Sequence, residues 1–320
     1  MKLKPIDPKR ARTRKLSTLS RLVKRNQFAQ EVAAGASIGE FLDSMPAVLA
    51  AQDLRELARR IASARRAKRL FLLMSGAHPI KVGLGPLICG LLRDGIIGAI
   101  ATNGAAIIHD FELAMAGRTS EDVGQGLADG SFGMAEETGA FLNHAAKLAA
   151  SENKGLGEVV GREILRAGLK HRDASIFAAA YQAGAPATVH VTLGADIVHM
   201  HPAADGGAIG KASMADFNRL AAVVSELSRG VAVNLGSAVV MPEVFLKALN
   251  LARNMGRTVK DFTAADMDFV RHYRPLRNVV QRPTETGGHS ILLTGHHEVM
   301  FPLLCAAVRE ELSRRVRARR

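Results

Sequence analysis

The chain has 320 residues, 48% of them hydrophobic and 30 of them glycine, enough apolar material for one large α/β domain or two smaller ones. Aromatic residues make up 4% and tryptophan is absent, which argues against base-stacking nucleic-acid modules. The formal charge of +13 sits at the ends: residues 1–25 carry ten Lys/Arg against one Asp, residues 309–320 six Arg against two Glu, and 26–308 are close to neutral.

These features divide the chain into a basic arm (1–30), a single α/β domain (31–308) and a basic tail (309–320). Basic arms suit RNA or anionic surfaces, but a solvated arm is the favoured reading, so RNA contact through the termini is the lesser expectation. Cys89 and Cys305 lie in apolar helical patterns and read as reduced core residues. No apolar run approaches the roughly 18–20 residues of a membrane span. No apolar stretch follows the basic start as in a secretory signal. The expectation is a cytoplasmic protein with no membrane partner.

In chain order, Ser37 to Met45 introduces a helix. From Pro46 to Arg69, Leu49, Leu54, Leu57 and Ile61 recur at helical spacing. Leu70 to Met74 is an apolar run broken by Ser75-Gly76-Ala77-His78-Pro79. An amphipathic segment from Ile80 to Arg93 leads to a second run, Ile96 to Ala101, which breaks at Thr102-Asn103-Gly104. Strand, small-residue loop, helix, strand, loop is the pattern of a βαβ unit whose parallel strands are buried on both faces. Phe111 to Leu148 reads as mostly helical with a loop at Asp129 to Gly133. Helices follow at Leu156–Leu169 and His171–Ala183.

Thr188 to Thr192 is strand-like and leads through His199 and His201 into a polar loop, Pro202 to Gly210. Ser213 then suits the N-cap of a helix. Val231 to Ala238 is a further strand ending in small residues, with a helix after it. Phe262 to Pro283 reads as irregular and Arg-rich. Ser290 to Thr294 is a last strand, and a helix runs from about Pro302 into the arginine tail. Strands alternating with helices favour a mostly parallel sheet with helices on both faces. Its ligands should collect at the carboxyl ends of the strands.

The strand–loop pairs, in this order, resemble deoxyhypusine synthase, an NAD-dependent family with a Rossmann-like fold. Gly76-Ala77-His78 stands where the family has a Thr-Ser-Asn loop. Thr102-Asn103-Gly104 is similar to its Thr-Thr-Ala-Gly-Gly segment, with Asp110-Phe111 matching the Asp-Phe that follows. Gly194-Ala195-Asp196 and Asp205-Gly206-Gly207 resemble its Gly-Ala-Asp and Asp-Gly-Ser-Asp-Ser-Gly run, and Val231 onward its Val-Tyr-Ala-Asp-Ala-Ser strand. The resemblance spans residues 70–250, discontinuously. It implies a homo-oligomer, dimer or tetramer, that acts on a small molecule. NAD would contact Gly76, Ala77, His78, Asn103, Gly104, Asp110, Asp205, Gly206, Gly207 and Ser237. The family's imine-forming lysine has no counterpart, since its position falls near Ala221. The implied reaction is therefore a diverged transferase or oxidoreductase.

Histidines supply the replacement chemistry. His78, His109, His199, His201, His296 and His297 all lie at or near strand ends, where parallel strands share one rim. His199 and His201, two apart on a strand, would point the same way. With His297 and Glu298 they form the expected catalytic set, since imidazole exchanges protons near neutral pH. The same cluster could hold a divalent metal with Asp110, Asp196 or Glu298 as further ligands. For His296-His297-Glu298 the plain reading is the first turn of a helix.

Overall fold

The structure, a computed structural model, describes residue 1 and residues 3–317, with side chains described as far as 314. The arm runs through single 3-10 turns, Pro8–Arg10, Leu16–Thr18 and Arg25–Gln27, with almost every residue exposed. It joins the body where Ala47 N–H donates to the Gln27 carbonyl (2.9 Å) and Gln30 N–H to that of Ser44 (2.9 Å).

The body alternates strands and helices: α1 (Ile38–Ser44), α2 (Leu49–Arg66), β1 (Phe71–Ser75), α3 (His78–Lys81), α4 (Gly85–Arg93), β2 (Ala99–Asn103) and α5 (Gly104–Ala116). Next come α6 (Val123–Asp129), α7 (Glu136–Glu152), α8 (Leu156–Arg166), α9 (Ile176–Gln182), β3 (Ala187–His190), α10 (Gly206–Ser225), β4 (Val231–Leu235) and α11 (Val240–Asn254). β5 (Thr263–Asp268), α12 (Arg282–Thr284), β6 (His289–Thr294) and α13 (His297–Arg317) complete the chain. The six strands form one fully parallel sheet in the order β3-β2-β1-β4-β5-β6.

Alternation along each strand builds two cores. Leu73, Ile100, Val233, Met267 and Leu293 face one side, where they pack with α2, α4, α5, α9 and α13. Leu72, Met74, Ala101, Ala232 and Ala264 face the other, under α10 and α11. This is the expected α/β, Rossmann-like architecture with helices on both faces. The chain leaves β1 in one direction to build β2 and β3 and in the other to build β4, β5 and β6. A doubly wound sheet has its ligand crevice where strand order reverses, which here is between the β1 and β4 loops at the carboxyl rim.

Four elements depart from the sequence reading. β5 lies inside the stretch expected to be irregular, because Thr-Ala-Ala-Asp-Met-Asp hides a fully buried strand behind two aspartates. The expected helix from Ile80 is two helices, separated at Gly83, whose φ is +81°. α10 starts at Gly206, where Asp205 caps it by accepting from Ala208 N–H (3.0 Å). Ser213 is therefore inside a helix, tied to β3 by Val191 N–H (3.3 Å), and is not its cap. α13 begins at His297, so Glu298 occupies its first turn and Pro302 lies within it. Residues 309–317 of the expected tail continue this helix, and Arg309 and Arg314 pair with Asp94 (2.7 Å) and Asp43 (2.6 Å) of the body. Residues 318–320 lie outside the described residues.

Asp216, 1% exposed on α10, is the internal tie between layers: one carboxylate oxygen accepts from Gly157 N–H (3.0 Å) and Val189 N–H (3.0 Å). Gly155 and Gly157 leave the room this approach needs. Asp216→Ala should lower stability by roughly 2–4 kcal/mol, because two buried N–H groups lose their acceptor. Urea unfolding checks this, and a loss under about 1 kcal/mol contradicts it.

Candidate functional site

Loops from β1, β4, β5 and β6 meet at the crevice. The β1 loop, Gly76-Ala77-His78, turns directly into α3, which leaves the His78 ring half-buried at the surface. The β6 loop runs into α13, and the His297 ring enters the rim with 0% exposure. The two rings meet with Nδ1 facing Nδ1 at 2.8 Å. Behind them, His297 Nε2 lies 3.2 Å from the Met267 carbonyl oxygen and 3.5 Å from Asp268 Oδ1.

Space for that ring is made by Gly236, the residue after β4. A Cβ there would come within 2.3 Å of His297 Cε1, and its φ of +70° is one that L side chains rarely adopt. Phe269 covers the pair, its ring centroid 5.7 Å from both His78 and His297.

The tautomers follow from the partners. A carbonyl oxygen only accepts, so the neutral His297 ring carries its proton on Nε2 and a lone pair on Nδ1. His78 Nδ1 must then donate, which leaves the lone pair on His78 Nε2. Burial, and next the facing His297 ring, hold His78 below the ordinary imidazole range, against smaller pulls from Glu298 and Asp268. His78 is thus a neutral base held at the crevice.

The floor is acidic and amidic. Asn234 on β4 sits beside Asp266 on β5 in the ladder. Its Nδ2 donates to Asp266 Oδ1 (2.7 Å) and to the Ser237 carbonyl (2.9 Å). Two acceptors fix the amide's orientation, so its Oδ1 is a buried acceptor with no partner among the described residues. Burial pushes Asp266 up to about 6, with the Asn234 hydrogen bond opposing it and the Asp268 charge adding to it. Burial also works to raise Asp268, but the His297 hydrogen bond, the Phe269 N–H and the imidazoles of His297 and His272 outweigh it and hold it low. These floor residues were missed in the sequence along with β5; aspartates at alternate positions in a short apolar run were the available signal.

The other expected residues are placed as follows. Asn103 ends β2 and caps α5 by accepting from Ala106 N–H (3.2 Å). A Cβ at Gly104 would lie 2.0 Å from Asp196 Oδ2, so only glycine admits that carboxylate. Ser237 starts the approach to α11, its Oγ accepting from Met241 N–H (3.2 Å). Asp205, Gly206 and Gly207 are exposed at the start of α10. Asp110 is turned inward, 1% exposed, and accepts from Ser175 Oγ (2.5 Å) and Ile176 N–H (2.8 Å), which occupies it in anchoring α9.

The catalytic set expected from the sequence does not assemble. His199 belongs to a 3-10 turn, Ile197–Met200, so His199 and His201 do not share a strand face. His199 Nδ1 accepts from Gly194 N–H (3.3 Å), His201 Nδ1 from Ala203 N–H (3.1 Å), and the His201 ring packs on Gly139 of α7. Both follow β3, three strand positions from β4, a separation of roughly 15 Å. His297 is fully buried, with its Nδ1 against the His78 ring. Glu298 is exposed and lies 3.7 Å from His296. Among the described residues, no group of three or more His, Cys, Asp and Glu side chains is arranged to hold a metal ion.

Gly236→Ala should cost about 2 kcal/mol or more, through positive φ and the clash with His297. Thermal unfolding checks this; an unchanged midpoint contradicts it. Asp266, raised in the fold, contributes stability that is full below its ordinary value and lost as pH rises through about 6. Asp266→Asn should flatten that stretch of the stability–pH curve, and a profile that keeps its slope contradicts this assignment.

No family model and no curated protein sequence matches the chain. Solved structures do. A putative deoxyhypusine synthase from Entamoeba histolytica superposes with TM-score 0.51 at 11% identity, over 87% of this chain and 95% of that one. A putative LOR/SDH protein from Methanococcus maripaludis S2 gives 0.52 at 14% identity, over 94% and 75%. AgrE, in a ternary complex with ornithine and NAD+, gives 0.52 at 15% identity, over 83% of this chain. The chain spans about a third of the length of AgrE (34%) and of ArgZ, a cyanobacterial arginine dihydrolase (33%). The fold is deoxyhypusine synthase-like.

Proposed function

We propose that the chain is an enzyme that binds NAD or a related dinucleotide at the β1–β4 crevice. There His78 transfers a proton to or from a small-molecule substrate. The observation that carries this reading is the His78–His297–Met267 chain, which holds a neutral imidazole at the strand-order switch with its Nε2 lone pair free.

The crevice fits a dinucleotide in three respects. Gly76 and Gly236 let two backbone loops approach: a Cβ on Gly76 would already lie 3.1 Å from the Gly236 carbonyl oxygen. The N-terminus of α5, beside Asn103-Gly104 on the neighbouring strand β2, offers unpaired N–H groups on the same rim, and that of α10, at Asp205-Gly206-Gly207 beyond β3, lies farther along it. The buried Asn234 Oδ1 has no hydrogen-bond partner among the described residues, which leaves an acceptor for a water or a ligand donor. Ala77 and Ser237 complete the set of loop residues facing this ligand. When bound, such a cofactor supplies a hydride acceptor or donor.

Around it, each side chain has a task. His78 Nε2 takes the proton. His297 passes the resulting charge back toward Asp268, whose low pKa keeps a carboxylate there at neutral pH. Glu298 adds a second negative charge near the mouth. Asp266, Asp268 and Asn234 Oδ1 present mainly acceptors, which suits an amine-bearing substrate. AgrE's ornithine is of that kind. Self-association as a dimer or tetramer belongs to the same reading. No helix among the described residues is long and apolar enough to cross a membrane.

NAD(H) should raise the unfolding midpoint, by about 2.7 kcal/mol of stability at a hundred times Kd. With NAD(H) still raising the midpoint, His78→Ala should lower turnover roughly 100-fold or more. Its acid limb, lying below the ordinary imidazole range, should disappear. No stabilisation by NAD(H) would sink the dinucleotide reading, and undiminished turnover in His78→Ala would sink the base.

A further inference from the structure

The sheet has two edges, and the chain treats them differently. At the β3 edge, alternation turns the backbone of Val189 and Val191 away from β2, and side chains from α10 meet it. Val189 N–H donates to Asp216 Oδ2 (3.0 Å), Val191 N–H to Ser213 Oγ (3.3 Å), and Ser213 Oγ donates to the Val189 carbonyl (3.4 Å). That edge is closed.

The β6 edge is open. His289 N–H donates to the Phe262 carbonyl (3.1 Å) and Gly295 N–H to that of Asp268 (3.1 Å), so the odd-numbered residues of the strand face β5. Ser290, Leu292 and Thr294 therefore turn N–H and C=O away from the sheet. No backbone group among the described residues bonds to them there. Ser290 and Thr294 are exposed and Leu292 is half-buried. The usual guards of a free edge are missing. The six residues of β6 run in unbroken register with β5, without a bulge, a proline, or any Lys, Arg, Asp or Glu. At the carboxyl end, Arg271 Nε donates to Thr294 Oγ1 (2.9 Å), and its neighbours Val270 and Tyr273 are 46% and 67% exposed.

A second copy of the same strand complements this edge. Run antiparallel about a two-fold axis at Leu292, each Leu292 meets its own counterpart and Ser290 meets Thr294 of the second copy. All three outward residues of each copy are then paired, with about six hydrogen bonds across the join. The residue on the axis faces itself, so a charge there would repel. Leucine gives an apolar contact instead, and Ser–Thr pairs are favourable across strands. We propose that β6 is a self-association surface, through which two copies join antiparallel into one continuous sheet with six strands from each. This gives the self-association in the proposed function its surface and rests on that part of the reading alone.

The test is the mass of the full chain in solution by light scattering, with variants at the two exposed positions. Ser290→Lys with Thr294→Lys sets like charges opposite each other across the join, whereas Ser290→Lys with Thr294→Glu sets opposite charges there. The parent should have the mass of two copies, or of four where a second surface also pairs. The double-lysine variant should have half the parent's mass at the same concentration, and the lysine–glutamate variant should keep it. Leu292→Cys should crosslink two copies on mild oxidation, because paired Cα atoms across such a join lie roughly 5.5 Å apart. Ser290→Cys should not, and the native Cys89 and Cys305 are buried. An oligomer whose mass the double-lysine variant leaves unchanged, equal loss in both charge variants, or a Leu292→Cys protein that does not crosslink would overturn the assignment. A monomeric parent that NAD(H) still stabilises would overturn it too, and would leave the dinucleotide reading standing.

Discussion

The Met267 carbonyl oxygen has only lone pairs to offer, and the His297 ring lies 3.2 Å from it. From that contact the proton positions of two imidazoles follow in sequence, ending with a free lone pair on His78. The arrangement depends on parts far apart in the chain. β5 must end beside β4 to present the carbonyl. α13 must begin with only two residues between it and β6, so that its first residue turns inward. Gly236 must lack a side chain, since a Cβ would occupy the space of the ring. A change at any of the three would free the His297 ring and with it the tautomer of His78.

The sheet explains why these parts can meet. Parallel strands bring all their following loops to one rim, and strand order reverses there between β1 and β4. Charge is distributed to match. The excess of lysine and arginine lies in the arm and along α13, where Arg309 and Arg314 are tied to Asp94 and Asp43. The rim itself is built of imidazoles over buried carboxyl and amide groups. Buried groups of this kind are costly unless each has a partner, and here nearly all do. Among the described residues Asn234 Oδ1 is the exception, beneath the β4 loop.

Much of the fold was legible. Leu70 to Met74, Ile96 to Ala101 and Val231 to Leu235 are near-continuous apolar runs ending in small residues, which is what strands buried on both faces require. β5 was not legible because only Thr263 of its six residues is β-branched and one face carries Asp266 and Asp268. With β5 went Asp266 and Asp268. His78 and His297 were both readable as rim residues, but their pairing spans 219 positions and depends on the strand order, which local periodicity does not encode. The His-x-His spacing at His199 and His201 misled because it assumes an extended backbone, and the chain forms a 3-10 turn there. Asp110 matched a family motif, yet its carboxylate is spent on the start of α9.

The central claim is that the β1–β4 crevice takes a dinucleotide against a His78 whose tautomer is set from behind. A crystal structure of the protein soaked with NADH tests it most directly. The account predicts the cofactor between the Gly76 and Gly236 loops, with His78 Nε2 facing the nicotinamide end and His297 still bonded to Met267. Density for the cofactor elsewhere, or a His78 ring turned away from His297 in the complex, would contradict it.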